Sequence, residues 1–127
     1  MIRERFQKAI EIINKNDRGG FTVPTSKLYP HQWNWDSAFT ALGISTYNKI
    51  RAWQELILLI RAQWKNGMIP HIIFHENNPN YFPGPNHWQI KSNANTSCHS
   101  QPPVLASIIW DMVKNGNNYD LQNGQSL

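Results

Sequence analysis

The segment from Lys49 to Lys65 constrains the fold of this chain most strongly. It carries two apolar stripes at helical spacing rather than one. The stripes are formed by Ile50, Trp53, Ile57, Ile60 and Trp64, and by Ala52, Leu56 and Leu59. A helix that is apolar on more than one side is buried between neighbours. The sequence therefore predicts a packed helical protein in which this helix is sandwiched and Gly67 follows its end as the C′ residue.

Apolar residues at helical spacing predict three further helices. The first runs from Ile2 to Ile13 and is stopped by the turn-forming residues from Asn16 to Gly20. The second begins at Asp36 or Ser37. Its predicted buried side chains are Phe39, Leu42 and Ile44. Together with the segment above, these patterns predict an all-α chain.

The fourth predicted helix begins at Ser100. Pro102 and Pro103 fall in its first turn, where the N–H groups that they lack would be unpaired anyway. Asn115 and Gly116 end it, and the polar tail from 117 to 127 is expected to fray. The chain is thus predicted to contain about four helices.

Two long connections hold the unusual residues. They run from Phe21 to Gln32 and from Met68 to Ser100, and they are rich in Pro, Asn, His and aromatic residues. Within the second, "IPHIIF" predicts a short strand. Both connections lead into a helix N-terminus, so we expect them to crowd one end of a helical bundle. Long connections of this kind are usually functional, and we expect the site there.

Charge and composition narrow the class of protein. The net charge is +4, but the basic residues are scattered singly, whereas nucleic-acid binding needs a basic patch. No apolar run is long enough to span a membrane. Cys98 is the only cysteine, so there is no intramolecular disulfide, and the absence of a hydrophobic signal core favours the cytosol.

The stretch "LYPHQWNWDSAF" is the strongest candidate for a binding site. If Trp33 to Trp35 is extended, both indoles lie on one side of the chain. Aromatic faces suit the C–H faces of a sugar, and Asp36 would accept hydrogen bonds from its hydroxyl groups. The alternative is structural, with Asp36 capping a helix and one or both indoles in the core. Spacing alone leaves both interpretations open.

Other candidate residues carry weaker signals. His71 and His75 are four apart, but Pro70 and the residues between them do not fit a helical zinc motif. His71 is either a ligand hydrogen-bond donor or a satisfied loop histidine. Cys98 is interpreted as a structural residue, and Glu76 as a solvated loop residue. No residue in the sequence implies a metal or an organic cofactor.

Four motifs in order along the chain carry a family resemblance. They are "FTVPTSKLYPHQWNWDSAF", "NGMIPHIIFH", "YFPGP" and "SQPPVLA". Together they resemble the N-terminal part of the catalytic domain of mannosylglycerate hydrolases and of the wider family of inverting α-glucosidases, which are relatives of trehalase. The resemblance implies that the all-α fold is an incomplete (α/α)6 barrel with long aromatic-rich loops at one end.

The resemblance also implies which residues bind the substrate. They are Tyr29, Trp33, Trp35, Asp36, His71, Tyr81 and Gln101. Asp36 is expected both to cap its helix and to meet sugar hydroxyl groups. The catalytic acid and base of the family lie downstream of the matched region. The chain is therefore expected to be the N-terminal third of the domain, residues 1–127, with no catalytic residue of its own.

Three functional hypotheses follow. The first is the carbohydrate-binding portion of an inverting α-glycosidase that acts on mannosylglycerate, glucosylglycerate or glucosyl oligosaccharides and is inactive alone. The second is a small non-catalytic helical sugar-binding module. The third adds a partner, namely a downstream polypeptide that completes the barrel. All three predict a small sugar or glycoside as ligand and exclude nucleic acid and membrane as partners.

Overall fold

The computed structural model describes residues 1–88, 95–116, 122 and 124. Its helices are α1 (Ile2–Asn16), α2 (Asn34–Ser45), α3 (Lys49–Arg61) and α4 (Leu105–Lys114). Strands β1 (Gln32–Trp33) and β2 (Ile72–Ile73) pair antiparallel, and a 3-10 turn covers Pro85–Trp88. The all-α class and the strand within "IPHIIF" are confirmed. The predicted fraying of 117–127 falls on residues that, apart from 122 and 124, lie outside the described ones.

The core forms where α2 packs along α3 and also against α4. Ala38 and Ala41 of α2 are fully buried, and such small side chains allow two helices to approach closely. From α3, the stripe that contains Ala52, Leu56 and Leu59 is completely buried. Trp53 joins it in the core, but Ile50 is 59% exposed. The prediction that α3 lies within a packed core is therefore confirmed for one stripe and only partly for the other.

The ends of α3 follow different rules. At its start, the side chain of Asn48 accepts a hydrogen bond from the backbone N–H of Arg51, which caps the helix. The predicted end near Lys65 is wrong, because the helix stops at Arg61. Gly67 is not its C′ residue. With a φ of 89°, it closes a separate turn in which its N–H donates to the carbonyl of Trp64.

Helix α1 has the predicted position but an unexpected environment. None of its residues is buried, and Ile2, Phe6 and Ile12 are exposed. Ile13 packs against the core, and the edge of the Phe6 ring contacts Tyr47 at 6.3 Å between centroids. The helix is therefore peripheral in this chain.

Helices α2 and α4 begin elsewhere than predicted. Helix α2 starts two residues early, at Asn34, and Phe39 is 54% exposed rather than buried, whereas Ile44 is buried as expected. Helix α4 starts at Leu105 with Val104 as its N-cap. The two prolines therefore precede the helix instead of occupying its first turn. The predicted end of α4 at Asn115 is confirmed.

Candidate functional site

The candidate site forms at the junction between β1 and α2. Trp33 ends the strand and is also the N-cap of α2, and the N–H of Asn34 donates to the carbonyl of His71 at 3.0 Å. Trp35 lies in the first helical turn, so the extended geometry that would place both indoles on one side of the chain is not formed. The abrupt change from strand to helix nevertheless brings both indoles to one cavity.

This cavity, which we call the aromatic pocket, has a volume of about 300 Å³. It is lined by Pro24, Tyr29, Trp33, Trp35, Asp36 and Gln101. Five of the seven predicted site residues thus share one cavity. A second depression of about 420 Å³ adjoins it over Trp35 and Asp36, and Phe39 lines that depression. This position explains why Phe39 is exposed rather than in the core.

The two indoles of the pocket have different surroundings. Trp33 is only 7% exposed, and the edges of Tyr29 and Tyr81 meet it at 5.2 Å and 5.7 Å between ring centroids. Trp35 is 40% exposed. One indole is therefore a packed wall, and the other is a free aromatic surface of the kind that a ligand can cover.

Asp36 is the carboxylate of the aromatic pocket. It is the third residue of α2 and not its N-cap, so the predicted N-cap position is wrong, although its carboxylate accepts a hydrogen bond from its own backbone N–H. Burial raises its pKa above the usual value, and hydrogen bonds from its own backbone N–H and from the side chains of Gln101 and Trp35 oppose this rise only in part. The Gln101 side chain also accepts a hydrogen bond from the backbone N–H of Trp35 at 3.1 Å. Gln101 therefore bridges the backbone and the carboxylate at the first turn of α2.

The other two predicted residues lie next to the pocket. Tyr81 contacts Trp33 but lines a different cavity of about 390 Å³, together with His31 and Glu76. His71 makes a hydrogen bond of 2.6 Å between its Nδ1 and the hydroxyl of Ser97, and its carbonyl holds Asn34. Burial lowers the pKa of His71. Tyr81 thus contacts a residue of the pocket without lining it, whereas His71 holds Asn34, the residue between the two indoles.

The contacts of His71 and His75 diverge. The Nε2 atom of His75 lies 2.7 Å from the side-chain oxygen of Gln32, and its ring stacks on Phe21 at 3.9 Å between centroids. Each histidine therefore has its own structural partners. Cys98 is a partly buried free thiol.

Glu55 is a functional candidate that the sequence analysis missed. It is fully buried. Its carboxylate accepts hydrogen bonds from Thr22, Gln32 and Ser37 and forms an ion pair with Arg51. A signal was present: Ala52, Glu55 and Leu59 are spaced as one face of a helix, so a carboxylate stood on an apolar stripe.

Arg51 extends this network to the end of α1. Its Nε atom lies 2.7 Å from Asp17 Oδ2, and its Nη2 atom lies 2.9 Å from Glu55 Oε2. Burial raises the pKa of Asp17, but hydrogen bonds from Arg51 and from the N–H of Gly19 outweigh it, so that the pKa falls below its usual value. We call Asp17, Thr22, Gln32, Ser37, Arg51, Glu55 and His75 the Glu55 network.

None of the helices in the described part of the chain combines the length and the apolar character that a membrane crossing needs.

An aromatic pocket with a carboxylate and an amide on a helical scaffold has the chemical character that suits a small polar ligand. Comparison with known proteins identifies the family to which the chain belongs. Residues 29–123 match the mannosylglycerate hydrolase MGH1-like glycoside hydrolase domain, and the chain belongs to this family. The resemblance seen in the sequence is confirmed.

Curated relatives agree with this assignment. The chain is 50% identical over 105 residues to the mannosylglycerate hydrolase MGH1 of Selaginella moellendorffii, covering 82% of this chain and 22% of the relative. It is equally identical to the mannosylglycerate hydrolase of Thermus thermophilus, over 80% of this chain and 25% of the relative. It is 43% identical to the glucosylglycerate hydrolase of Mycolicibacterium hassiacum, over 84% of this chain and 26% of the relative. The chain therefore spans about a quarter of the length of the curated relatives it matches.

Solved structures match over nearly the whole chain. The GH63 mannosylglycerate hydrolase from Thermus thermophilus in complex with Tris superimposes with a TM-score of 0.88 at 43% identity, covering 95% of this chain and 30% of that one. Structures of the same enzyme with Tris and D-glycerate and with glucose give TM-scores of 0.85 and 0.77 at 42% identity, and cover 95% of this chain with 29% and 32% of theirs. The fold of this chain is thus a partial piece of the larger GH63 fold.

Proposed function

We propose that this chain is the carbohydrate-binding portion of an inverting α-glycosidase that acts on small α-glycosides. The proposed substrates are mannosylglycerate, glucosylglycerate or glucosyl oligosaccharides. The observation that carries the proposal is the aromatic pocket, in which Trp33, Trp35, Asp36 and Gln101 converge on one cavity. The relatives named above, one of them solved with glucose, support a sugar as the ligand.

The pocket residues have distinct proposed roles. The exposed face of Trp35 lies against the C–H face of the sugar. Asp36 and Gln101 provide acceptors and a donor for its hydroxyl groups. Tyr29 completes the wall, while Tyr81 and His71 support Trp33 and Asn34 from outside the pocket. Together these groups orient one sugar ring without reacting with it.

Hydrolysis with inversion needs two carboxyl groups on opposite sides of the scissile bond, about 6.5–9.5 Å apart, with a water molecule between one of them and the sugar. Of the described carboxylates near the site, only Asp36 lines the aromatic pocket. Glu55 is enclosed by its own partners, and Glu76 lines the neighbouring cavity. We therefore assign no catalytic residue to 1–127 and propose that this segment alone is inactive.

The remaining part of such an enzyme needs a surface on which to pack. A groove of about 980 Å³ runs beside α4 and is lined by Ile60, Met68, Ile109 and Trp110 among others. Trp110 is 67% exposed. We propose that residues 1–127 form the N-terminal third of a six-hairpin barrel and that further polypeptide covers this groove. The free thiol of Cys98 suits the reducing conditions of the cytoplasm, which is the proposed location.

The proposal is tested with the 127-residue chain and its Asp36→Asn variant. We expect the wild type to bind glucose or mannose in calorimetry but to release no sugar from mannosylglycerate or glucosylglycerate. Asp36→Asn should lose the affinity without losing stability. Burial raises the pKa of Asp36, so the fold favours the protonated form of this carboxyl group. The stabilising contribution of that form is complete below the usual pKa and is lost as the pH rises through the higher pKa of the folded chain.

Asp111→Asn is the matched control, since Asp111 is an exposed aspartate on α4 that bonds Asn115. It should leave sugar affinity unchanged. Sugar release by the chain itself would contradict the proposed inactivity. Failure of the wild type to bind either sugar would contradict the binding role. Binding without hydrolysis by a chain that unfolds cooperatively as a monomer would favour the small non-catalytic sugar-binding module instead.

A further inference from the structure

Glu55 holds both ends of the segment that forms the aromatic pocket. Its Oε1 atom accepts a hydrogen bond from the side-chain N–H of Gln32 at 3.2 Å and another from the hydroxyl of Ser37. Gln32 directly precedes Trp33, and Ser37 directly follows Asp36. We propose that Glu55 is a positioning residue of the sugar site, which fixes the junction between β1 and α2 so that both indoles and Asp36 face one cavity.

The two oxygens of Glu55 serve different parts of the molecule. Oε1 holds the pocket segment through Gln32 and Ser37 and also accepts the backbone N–H of Thr22 at 3.0 Å. Oε2 accepts from the Thr22 hydroxyl and pairs with Arg51, each at 2.9 Å. Arg51 therefore balances the buried charge and fixes the orientation of the carboxylate. This division allows the two sides to be tested separately.

Other restraints on the junction act beside Glu55. The N-cap of α2, Trp33, makes no side-chain capping hydrogen bond. Strand pairing with β2, the bonds from Asn34 to the carbonyls of His71 and Ile69, the bond from Trp35 to Gln101 and the bond between His75 and Gln32 also hold the junction, whereas Glu55 joins Gln32 directly to Ser37. Gln32, Ser37 and Glu55 are all at most 1% exposed, so bulk water cannot replace a lost bond. Loss of the Ser37 bond would therefore let the first turn of α2 move relative to Trp33.

A pair of variants separates positioning from general stabilisation. Ser37→Ala and Thr22→Val each remove one hydroxyl group that donates to the same carboxylate, and the Thr22 hydroxyl also accepts a hydrogen bond from Arg51. Only the first removes a bond to the pocket segment. We expect Ser37→Ala to weaken glucose binding by about tenfold, because small misplacements of binding groups have large effects. Thr22→Val should leave the dissociation constant for glucose unchanged.

A second readout does not depend on sugar binding. The indole N–H resonance of Trp35, assigned with a Trp35→Phe variant, reports the environment of that ring in ¹H–¹⁵N spectra. Ser37→Ala should shift it, and Thr22→Val should not. Glu55→Gln serves as the conservative variant, since its amide oxygen can still accept from Ser37 and Gln32. Its amide N–H₂ group would then face Arg51, so the variant should lose stability, and the Trp35 resonance should stay nearer to that of the wild type than in Ser37→Ala.

The binding readout rests on the proposed function, and the resonance does not. If the wild type fails to bind glucose while Ser37→Ala alone shifts the Trp35 resonance, the proposed function fails and the positioning role stands. If the wild type binds glucose but Ser37→Ala and Thr22→Val behave alike in both readouts, the positioning role is overturned and the proposed function stands.

Discussion

The two loops that border the aromatic pocket are held in different ways. The first connection, residues 17–31, joins α1 to β1 and is tied to the Glu55 network through Asp17 and Thr22. The outer loop, residues 76–88, carries Tyr81. The hydrogen bonds described within it join residues of the same loop, as from Tyr81 to Asn78 and from His87 to Gly84. Its contacts with Trp33, His31 and His71 are made by aromatic rings.

This contrast shows how the pocket divides stability between two mechanisms. A buried polar network is directional and fails as a unit, because each lost partner leaves an unpaired buried group. Aromatic edge contacts are weaker singly and tolerate small shifts. We therefore expect the first connection to set the geometry of the pocket and the outer loop to adjust around it.

The largest expected effect is that of Glu55→Ala in the network that ties the first connection. Removing one partner of a buried ion pair costs about 3–5 kcal/mol, because the other charge stays buried without compensation. Unfolding by urea, followed by circular dichroism, measures this loss. The control is Glu76→Ala in the outer loop, where an exposed residue should change the free energy of unfolding by less than about 0.5 kcal/mol. Equal effects of the two substitutions would remove the distinction between the loops.

In the outer loop, Tyr81→Ala should lower the free energy of unfolding by an intermediate amount. The substitution removes two aromatic contacts, with Trp33 and His31, which are worth about 0.5–1.5 kcal/mol each. Tyr81→Phe keeps both rings in contact and should cost little. The free energy of unfolding of the two variants measures the difference. A large loss in Tyr81→Phe would show that the hydroxyl group, and not the ring, holds this loop.

The smallest expected effects are opposite responses to pH. The pKa of Asp17 is lowered, so its stabilising contribution is complete above the usual value of 3.8 and is lost as the pH falls through the lower folded value. Burial, followed by the influence of Tyr29, raises the pKa of Tyr81. Its contribution is complete below 10.0 and is lost as the pH rises through the higher folded value.

Acid should therefore remove the stabilising contribution of Asp17 in the first connection, and alkali should remove that of Tyr81 in the outer loop. Melting temperatures between pH 2 and 12 should show a smaller acid response in Asp17→Asn and a smaller alkaline response in Tyr81→Phe, each relative to the wild type. Because burial also raises the pKa of Tyr47, which lies outside both loops, Tyr47→Phe should reduce the alkaline response as well, and the reduction in Tyr81→Phe gives the share of the outer loop. If Asp17→Asn kept the full acid response, the ion pair with Arg51 would not contribute to it.

The sequence predicted the helices well where periodicity and local stop signals agree. Helix α1 and the end of α4 are examples. It failed at the start of α2, because Trp33 to Trp35 reads equally well as strand or helix, and only pairing of Trp33 with Ile72 decides where the strand ends. Phe39 was predicted to be buried from its spacing, yet it lines a surface depression. Spacing cannot distinguish a core from a cavity wall.

The sequence pointed to the residues of the aromatic pocket but not to the Glu55 network that lies behind them. Tyr29, Trp33, Trp35, Asp36 and Gln101 line one pocket. That they bind the substrate, as the family resemblance implies, stays a prediction. Glu55 was missed because its partners Thr22 and Gln32 lie 33 and 23 residues away, and no local pattern connects them. Long-range polar networks depend on the tertiary arrangement, which a single sequence does not show.

The bond between Gln32 and His75 has a consequence for the imidazole. The Gln32 amide turns its N–H₂ group toward the Glu55 carboxylate, so its oxygen must accept a hydrogen from His75 Nε2. Neutral imidazole protonated at Nε2 and the imidazolium ion both carry this hydrogen. Uptake of a second proton at Nδ1 therefore leaves the link to Gln32 intact. Burial lowers the pKa of His75, so the ring takes up this proton only at a lower pH than usual, and it does so without detaching from the residues behind the aromatic pocket.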